Sequence, residues 1–200
     1  MIEIEQLIRF LAILSGIIVL IAPLRLLLWQ SRRPKGRTTG KAASTRKWFG
    51  VLLITIVLVA IGFLLWKPIP LPVSDSILLL ITIVGAVFYF PGIGLYLWGL
   101  SVLRTQFGVS GLLGAELYQG HQLIKNGPFA RIRHPMYAGV LLAAVGALLI
   151  FRTWAMLLFM PMSLVVIGRA EREEKLLAAE FGEQWESYAS KVPKWFPKVK

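Results

Sequence analysis

Two short polar segments carry the side chains able to do chemistry. Residues 120–137, GHQLIKNGPFARIRHPMY, hold both histidines of the chain, His121 and His134, with Arg131, Arg133 and Tyr137. Residues 169–174, RAEREE, hold Arg169, Glu171, Arg172, Glu173 and Glu174. His134 and Tyr137 stand three apart beside Pro135, whose missing N–H costs nothing at the start of a helix. Arg169 and Glu173 stand four apart and share a helical face. Arginine and histidine hold a carboxylate, glutamate takes an ammonium or ribose hydroxyls, and aromatic rings cover a flat base or a cation. The set suits a small ligand carrying both signs of charge. Each residue also has a plainer reading. Arg131 and Arg133 suit interfacial anchors, Glu173 and Glu174 suit solvated helix charge paired with Arg169 and Lys175, and either histidine alone suits a loop. The joint pattern is what favours a site. The chain has no cysteine, which excludes disulfides, thiol nucleophiles and thiolate metal sites; no metal centre is expected.

These segments must be positioned by apolar helices. Of 200 residues, 56% are hydrophobic, and mean hydropathy is +0.70, against roughly 45–50% apolar in a soluble domain. Uncharged runs cover residues 10–24 (continued by 26–29 past Arg25), 48–66, 77–103, 136–151 and 153–168. Run 48–66 carries a tryptophan at each end and extends roughly 28 Å as a helix, close to the hydrocarbon thickness. Run 77–103 is interrupted at Pro91-Gly92 and Gly94, which predicts either one kinked helix or a span followed by a shorter element. Runs 136–151 and 153–168 are each short for a span. Joined at Arg152, they read as a tight helical hairpin over 136–168, with Gly139, Ala143, Ala144, Gly146 and Ala147 permitting close packing. The first run has no A-x-A cleavage site and four more follow, so it reads as a retained span rather than a signal peptide.

The net charge of +12 is concentrated between the apolar runs, which marks a cytoplasmic membrane face rather than a nucleic-acid surface. The loop 30–47 holds Arg32, Arg33, Lys35, Arg37, Lys41, Arg46 and Lys47 without an acid. Arg9, Lys67 and Arg152 alone fall on the opposite side, next to a proline-rich external turn at 67–76. The expected fold is an all-α integral membrane protein of about five transmembrane helices, N-terminus outside and C-terminus cytoplasmic. Residues 1–103 form a three-span anchor. Residues 104–200 carry the site, with a cytoplasmic pocket built by the 104–135 segment and the C-terminal amphipathic helices. In the latter, Leu176, Leu177, Phe181, Trp185 and Tyr188 recur at helical spacing opposite Glu180, Glu183 and Glu186, and Phe181-Gly182 predicts a break. The basic, aromatic stretch KVPKWFPKVK at 191–200 suits an anionic surface.

These motifs resemble the isoprenylcysteine carboxyl methyltransferase family, including its prokaryotic integral-membrane relatives, and more loosely the phospholipid N-methyltransferases. The family's G-H-x-L-(V/I) segment stands as residues 120–124, its G-P-Y as Gly127-Pro128-Phe129, and its R-H-P-x-Y-x-G as residues 133–139. Glu173-Glu174, Phe181-Gly182, Trp185, Tyr188 and Val192-Pro193 follow in the family's order. The likeness covers residues 104–197. Phe129 departs from the usual tyrosine, so that hydroxyl has no role here. The resemblance implies S-adenosylmethionine as cofactor. By carry-over, His121, the backbone at Leu123 and Ile124, Gly127, His134, Tyr137 and one of Glu173 and Glu174 would bind it. Arg133 and Arg169 would orient its carboxylate or an anionic acceptor, and Glu174 or His134 would take a proton from an amine acceptor. The implied partners are a lipid-like or other apolar acceptor and the bilayer of a prokaryotic cell membrane. Two other readings stand beside this one. An NADPH-dependent reductase of the sterol-reductase type shares an R-H-P-x-Y-like element, and a non-enzymatic lipid-binding protein shares the apolar helices.

Overall fold

The computed structural model describes residues 2–30, 45–103 and 122–197. Among these, the regular structure is helical: α1 (Ile2–Gln30), α2 (Thr45–Leu64), α3 (Asp75–Leu103), a 3-10 turn at Gly127–Ala130, α4 (Pro135–Phe151), α5 (Trp154–Met162), α6 (Val165–Phe181) and α7 (Glu183–Lys191). Three stretches are long and apolar enough to cross a bilayer, Glu3–Ala22, Asp75–Leu103 and Trp154–Phe181, and Leu53–Leu64 and Pro135–Phe151 are shorter apolar helices. Large side chains such as Phe10, Val59 and Phe63 are exposed, as suits helices whose surroundings are hydrocarbon rather than water. The protein is a membrane protein, all-helical among the described residues. Of the two expectations for 77–103, the single helix is the one that forms: Pro91 lies inside α3. In a membrane helix, neighbours re-satisfy the carbonyl that a proline frees. The run 153–168 is not one helix. Pro161 lies in the last turn of α5, and Ser163 N–H donates to the carbonyls of Phe159 and Met160 before α6 begins.

The chain falls into two compact units: Met1–Ile18, Ala43–Ile93 and Val140–Leu164 form the first, and Val19–Ala42, Gly94–Gly139 and Val165–Lys200 the second.

The first unit is held by a buried polar knot that the sequence reading did not anticipate. Arg152, expected as an outward-facing cation, is 8% exposed and takes a left-handed backbone conformation, φ 48°. Its guanidinium pairs with Glu5, and Nη1 donates to Thr82 Oγ1 at 2.7 Å and to the Leu149 carbonyl at 2.9 Å. Glu5 also pairs with Arg9 at 2.8 Å. The Ile69 N–H donates to the Arg152 carbonyl at 2.7 Å, and the Trp154 N–H to that of Lys67 at 3.1 Å. Arg9, Lys67 and Arg152 thus gather at one end of this unit. Arg152 and Arg9 persist there because both pair with Glu5, and Arg152 also reaches carbonyls.

Close helix approach supplies the other constraint. A Cβ at Gly146 would lie 2.4 Å from Tyr89 N and 2.6 Å from the Gly85 carbonyl oxygen, both backbone atoms that cannot turn aside. Gly146→Ala is expected to destabilise by about 3 kcal/mol, the upper end for overpacking. Gly94→Ala is the control, since a Cβ there meets nothing within 4 Å. Thermal unfolding in detergent distinguishes them, and equal melting temperatures would refute the close approach.

Candidate active site

The second unit builds its site from a turn, a helix start, two helix faces and a returning segment. Gly127 opens the turn at φ 58°, where a Cβ would lie 2.8 Å from Val102 Cγ2. Glycine is needed there on both counts. The turn then closes through Arg131 N–H and Ile132 N–H, both donating to the Pro128 carbonyl. Its Phe129 carbonyl accepts the Tyr188 hydroxyl at 2.7 Å, and burial pushes the Tyr188 phenol up to about 12, so it stays a donor. Pro135 begins α4 with its missing N–H unneeded, leaving His134 at the helix mouth, 5% exposed.

Glu174, on α6, is the hub. Its Oε1 takes His134 Nε2 at 2.9 Å and Arg133 Nε at 3.0 Å, and its Oε2 lies 3.4 Å from Lys194 Nζ. Arg133 Nη1 donates to the carbonyls of Ala189 at 2.7 Å and Val192 at 3.3 Å, and the guanidinium sits 5.8 Å over the Trp185 ring. Three of the five guanidinium N–H groups are therefore committed within the protein. The returning segment is also fixed by its backbone: Arg133 N–H donates to the Pro193 carbonyl at 2.9 Å and His134 N–H to that of Lys194 at 3.3 Å. Trp195 and Tyr137 flank the imidazole, each with its ring centroid 5.6 Å away. The two glutamates split: Glu174 serves His134, while Glu173 and Arg169 face the Tyr137 hydroxyl. Arg169 Nε is buried and meets no partner among the described residues.

Electrostatics fixes the protonation pattern. Burial draws the His134 pKa below its ordinary 6.5 against the opposing pull of Glu173 and Glu174. Burial also acts to raise Glu174, but the His134 hydrogen bond and the charges of Arg133 and Lys194 hold it below its ordinary 4.5. An ionised Glu174 only accepts, so neutral His134 donates from Nε2 and keeps the Nδ1 lone pair. Above pH 6.5 neither group differs in protonation between folded and unfolded chains. Below that, the unfolded chain takes up a proton at His134 first, and below 4.5 also at Glu174, so stability falls with pH. We expect the melting temperature of the detergent-solubilised protein to hold from pH 8 to 7 and to decline from 6.5 downward. His134→Gln is expected to remove the first part of that decline.

A cleft of about 680 Å³ in the same unit is lined by Gln122, Leu123, Ile124, Lys125, Asn126, Phe181 and Gln184. Leu123 and Ile124, predicted as site residues, lie there. Arg133, His134, Tyr137, Arg169, Glu173 and Glu174 do not line it, and His121 lies outside the described residues. Sequence reasoning missed Lys194, Trp195 and the carbonyls of Ala189 and Val192. The Val192-Pro193 motif was the available signal, but it carries no chemistry of its own.

Residues 80–184 match the family model for phospholipid methyltransferases. The chain belongs to the phospholipid methyltransferase family. It is also similar to the protein-S-isoprenylcysteine O-methyltransferase of Schizosaccharomyces pombe, 27% identical over 109 residues. That alignment covers 54% of this chain and 46% of the relative, so the chain spans about half the length of the curated protein it matches. The family match takes in Arg133, His134, Tyr137, Arg169, Glu173 and Glu174 and stops before the returning segment at 192–195.

Proposed function

We propose that this protein is an S-adenosylmethionine-dependent methyltransferase acting on a lipid-like or other apolar acceptor at the cytoplasmic membrane face. The observation that carries the reading is the meeting of His134, Tyr137, Arg169, Glu173 and Glu174, drawn from segments some 40 residues apart; Arg169 Nε is one of two buried guanidinium nitrogens, with Arg9 Nε, that meet no partner among the described residues. The donor set fits the cofactor's charges: Arg169 suits its carboxylate, Glu173 its ammonium or ribose hydroxyls, and Tyr137 and Phe181 a flat or cationic part. Leu123 and Ile124 would contact it through their backbone, and His121 by resemblance.

Bound there, the cofactor supplies a methyl group on a sulfonium, already activated for in-line displacement. The chain's own work is alignment and exclusion of water. Arg133 serves this as a positioning residue, because its donors tie α4 to the returning segment. Glu174 is a weak base, since Arg133, Lys194 and His134 all stabilise its ionised form. For an acceptor that must lose a proton, His134 Nδ1 is the better recipient; a carboxylate or thiolate acceptor needs none. The basic loop 30–47, retained on the inner side, supports an N-terminus outside; five spans in a prokaryotic cell membrane complete the proposed reading.

Calorimetric titration of the purified protein with S-adenosylmethionine, S-adenosylhomocysteine and NADPH tests the reading. The first two are expected to bind. NADPH alone binding would favour a reductase, and none binding would favour a non-enzymatic lipid-binding protein; either result overturns the proposal. Mass spectrometry of lipid extracts incubated with methyl-labelled cofactor then identifies the acceptor.

A further inference from the structure

The segment after α7 lies beyond the family match and has a feature that the methyl-transfer reading does not use. Residues 191–200 carry Lys191, Lys194, Lys198 and Lys200 and no acid. The segment is held in place rather than trailing: its Val192, Pro193 and Lys194 carbonyls take Arg133 Nη1, Arg133 N–H and His134 N–H at 3.3, 2.9 and 3.3 Å. Residues 133 and 134 immediately precede the apolar helix α4. The segment is therefore pinned at the start of that apolar helix, which on the membrane reading is where the helix leaves the hydrocarbon. Two consecutive aromatics then part company. Trp195 packs on the His134 ring, while Phe196 is 80% exposed. A phenyl ring exposed at that level gains by entering the interfacial layer, and cations beside it gain from anionic headgroups. Lys194 keeps capacity for this, since its contact with Glu174 occupies one of three ammonium donors.

We propose that residues 191–196 form a seat on anionic lipid headgroups, with Lys191 and Lys194 meeting lipid phosphates and Phe196 entering the interface. The seat and the candidate site share Lys194 and the backbone at Arg133 and His134, so contact with the bilayer surface steadies the segment that flanks the imidazole. The inference rests on the membrane location and not on the cofactor.

The absence of native cysteine makes the test direct. Phe196→Cys takes a single NBD label, itself apolar, and the full chain is placed in nanodiscs of phosphatidylcholine with and without phosphatidylglycerol. We expect blue-shifted emission, quenched by doxyl-lipids, in the anionic discs, reversed by high salt. Lys191→Gln is expected to reduce the inserted fraction relative to the exposed one about fivefold, the effect of one interfacial lysine. A label open to iodide in both compositions would overturn the proposal. Blue emission that is already present in detergent and indifferent to lipid and salt would also overturn it, and would assign Phe196 to a protein contact instead. No readout depends on S-adenosylmethionine, so a failed cofactor titration leaves this test intact.

Discussion

Glu174→Gln is expected to weaken S-adenosylmethionine binding by more than about thirtyfold and to lower stability by about 2–3 kcal/mol. The glutamine keeps the shape and loses the charge that Arg133, His134 and Lys194 share. Breaking a fully buried pair costs roughly 3–5 kcal/mol; Glu174 keeps 19% of its side chain exposed, so a lower figure applies. The affinity loss follows because His134 and Arg133 then share one neutral amide oxygen in place of a carboxylate, which loosens both side chains, and a thirtyfold change corresponds to about 2 kcal/mol. Calorimetry gives the first quantity and thermal unfolding the second. His134→Ala should move affinity the same way while the protein still purifies folded. Unchanged affinity in both variants would move the cofactor away from this cluster.

Arg152→Gln is expected to destabilise the first unit by about 2–3 kcal/mol, below the roughly 3–5 kcal/mol of a fully buried pair, since Glu5 keeps 20% of its side chain exposed and retains Arg9 as a partner. The arginine's named partners, Glu5, Thr82, Leu78 and Leu149, all belong to that unit. Cofactor affinity should therefore stay within about twofold, below the 1 kcal/mol or so that one lost hydrogen bond is worth. A cycle with Glu5→Gln isolates the pair: the double variant should lose at least about 1 kcal/mol less than the two single losses added together. Additive losses would mean that the pair contributes nothing beyond its separate members.

What could be read from residue order was set by periodicity and by local backbone chemistry. The apolar runs gave the helices because a membrane helix satisfies its backbone internally whatever its neighbours. Pro135 marked the mouth of α4, and Gly182 marked the break between α6 and α7. Grouping Arg133, His134, Glu173 and Glu174 before seeing them relied on a hairpin returning the chain, and the contact from His134 to Glu174 across 40 positions agrees with that. The Glu5–Arg152 pair spans 147 positions, and nothing local distinguishes Arg152 from a solvated loop cation. The role of Arg133 was equally hidden, since two of its acceptors are carbonyls at Ala189 and Val192, and any residue carries a carbonyl. The division of labour between Glu173 and Glu174 depends on about 100° of helix rotation, a phase that only the packed helices fix.

Gly182 sits at φ 47°, ψ −123°, a conformation essentially reserved to glycine. The heading of α7 is therefore written into a single position that lacks a side chain. A Cβ there would meet no neighbouring atom, so any bulkier residue would be rejected by torsion and not by crowding. Relaxing that torsion would swing Trp185 from beneath the Arg133 guanidinium and Tyr188 from the Phe129 carbonyl together, unfastening the site without touching any group that meets a ligand.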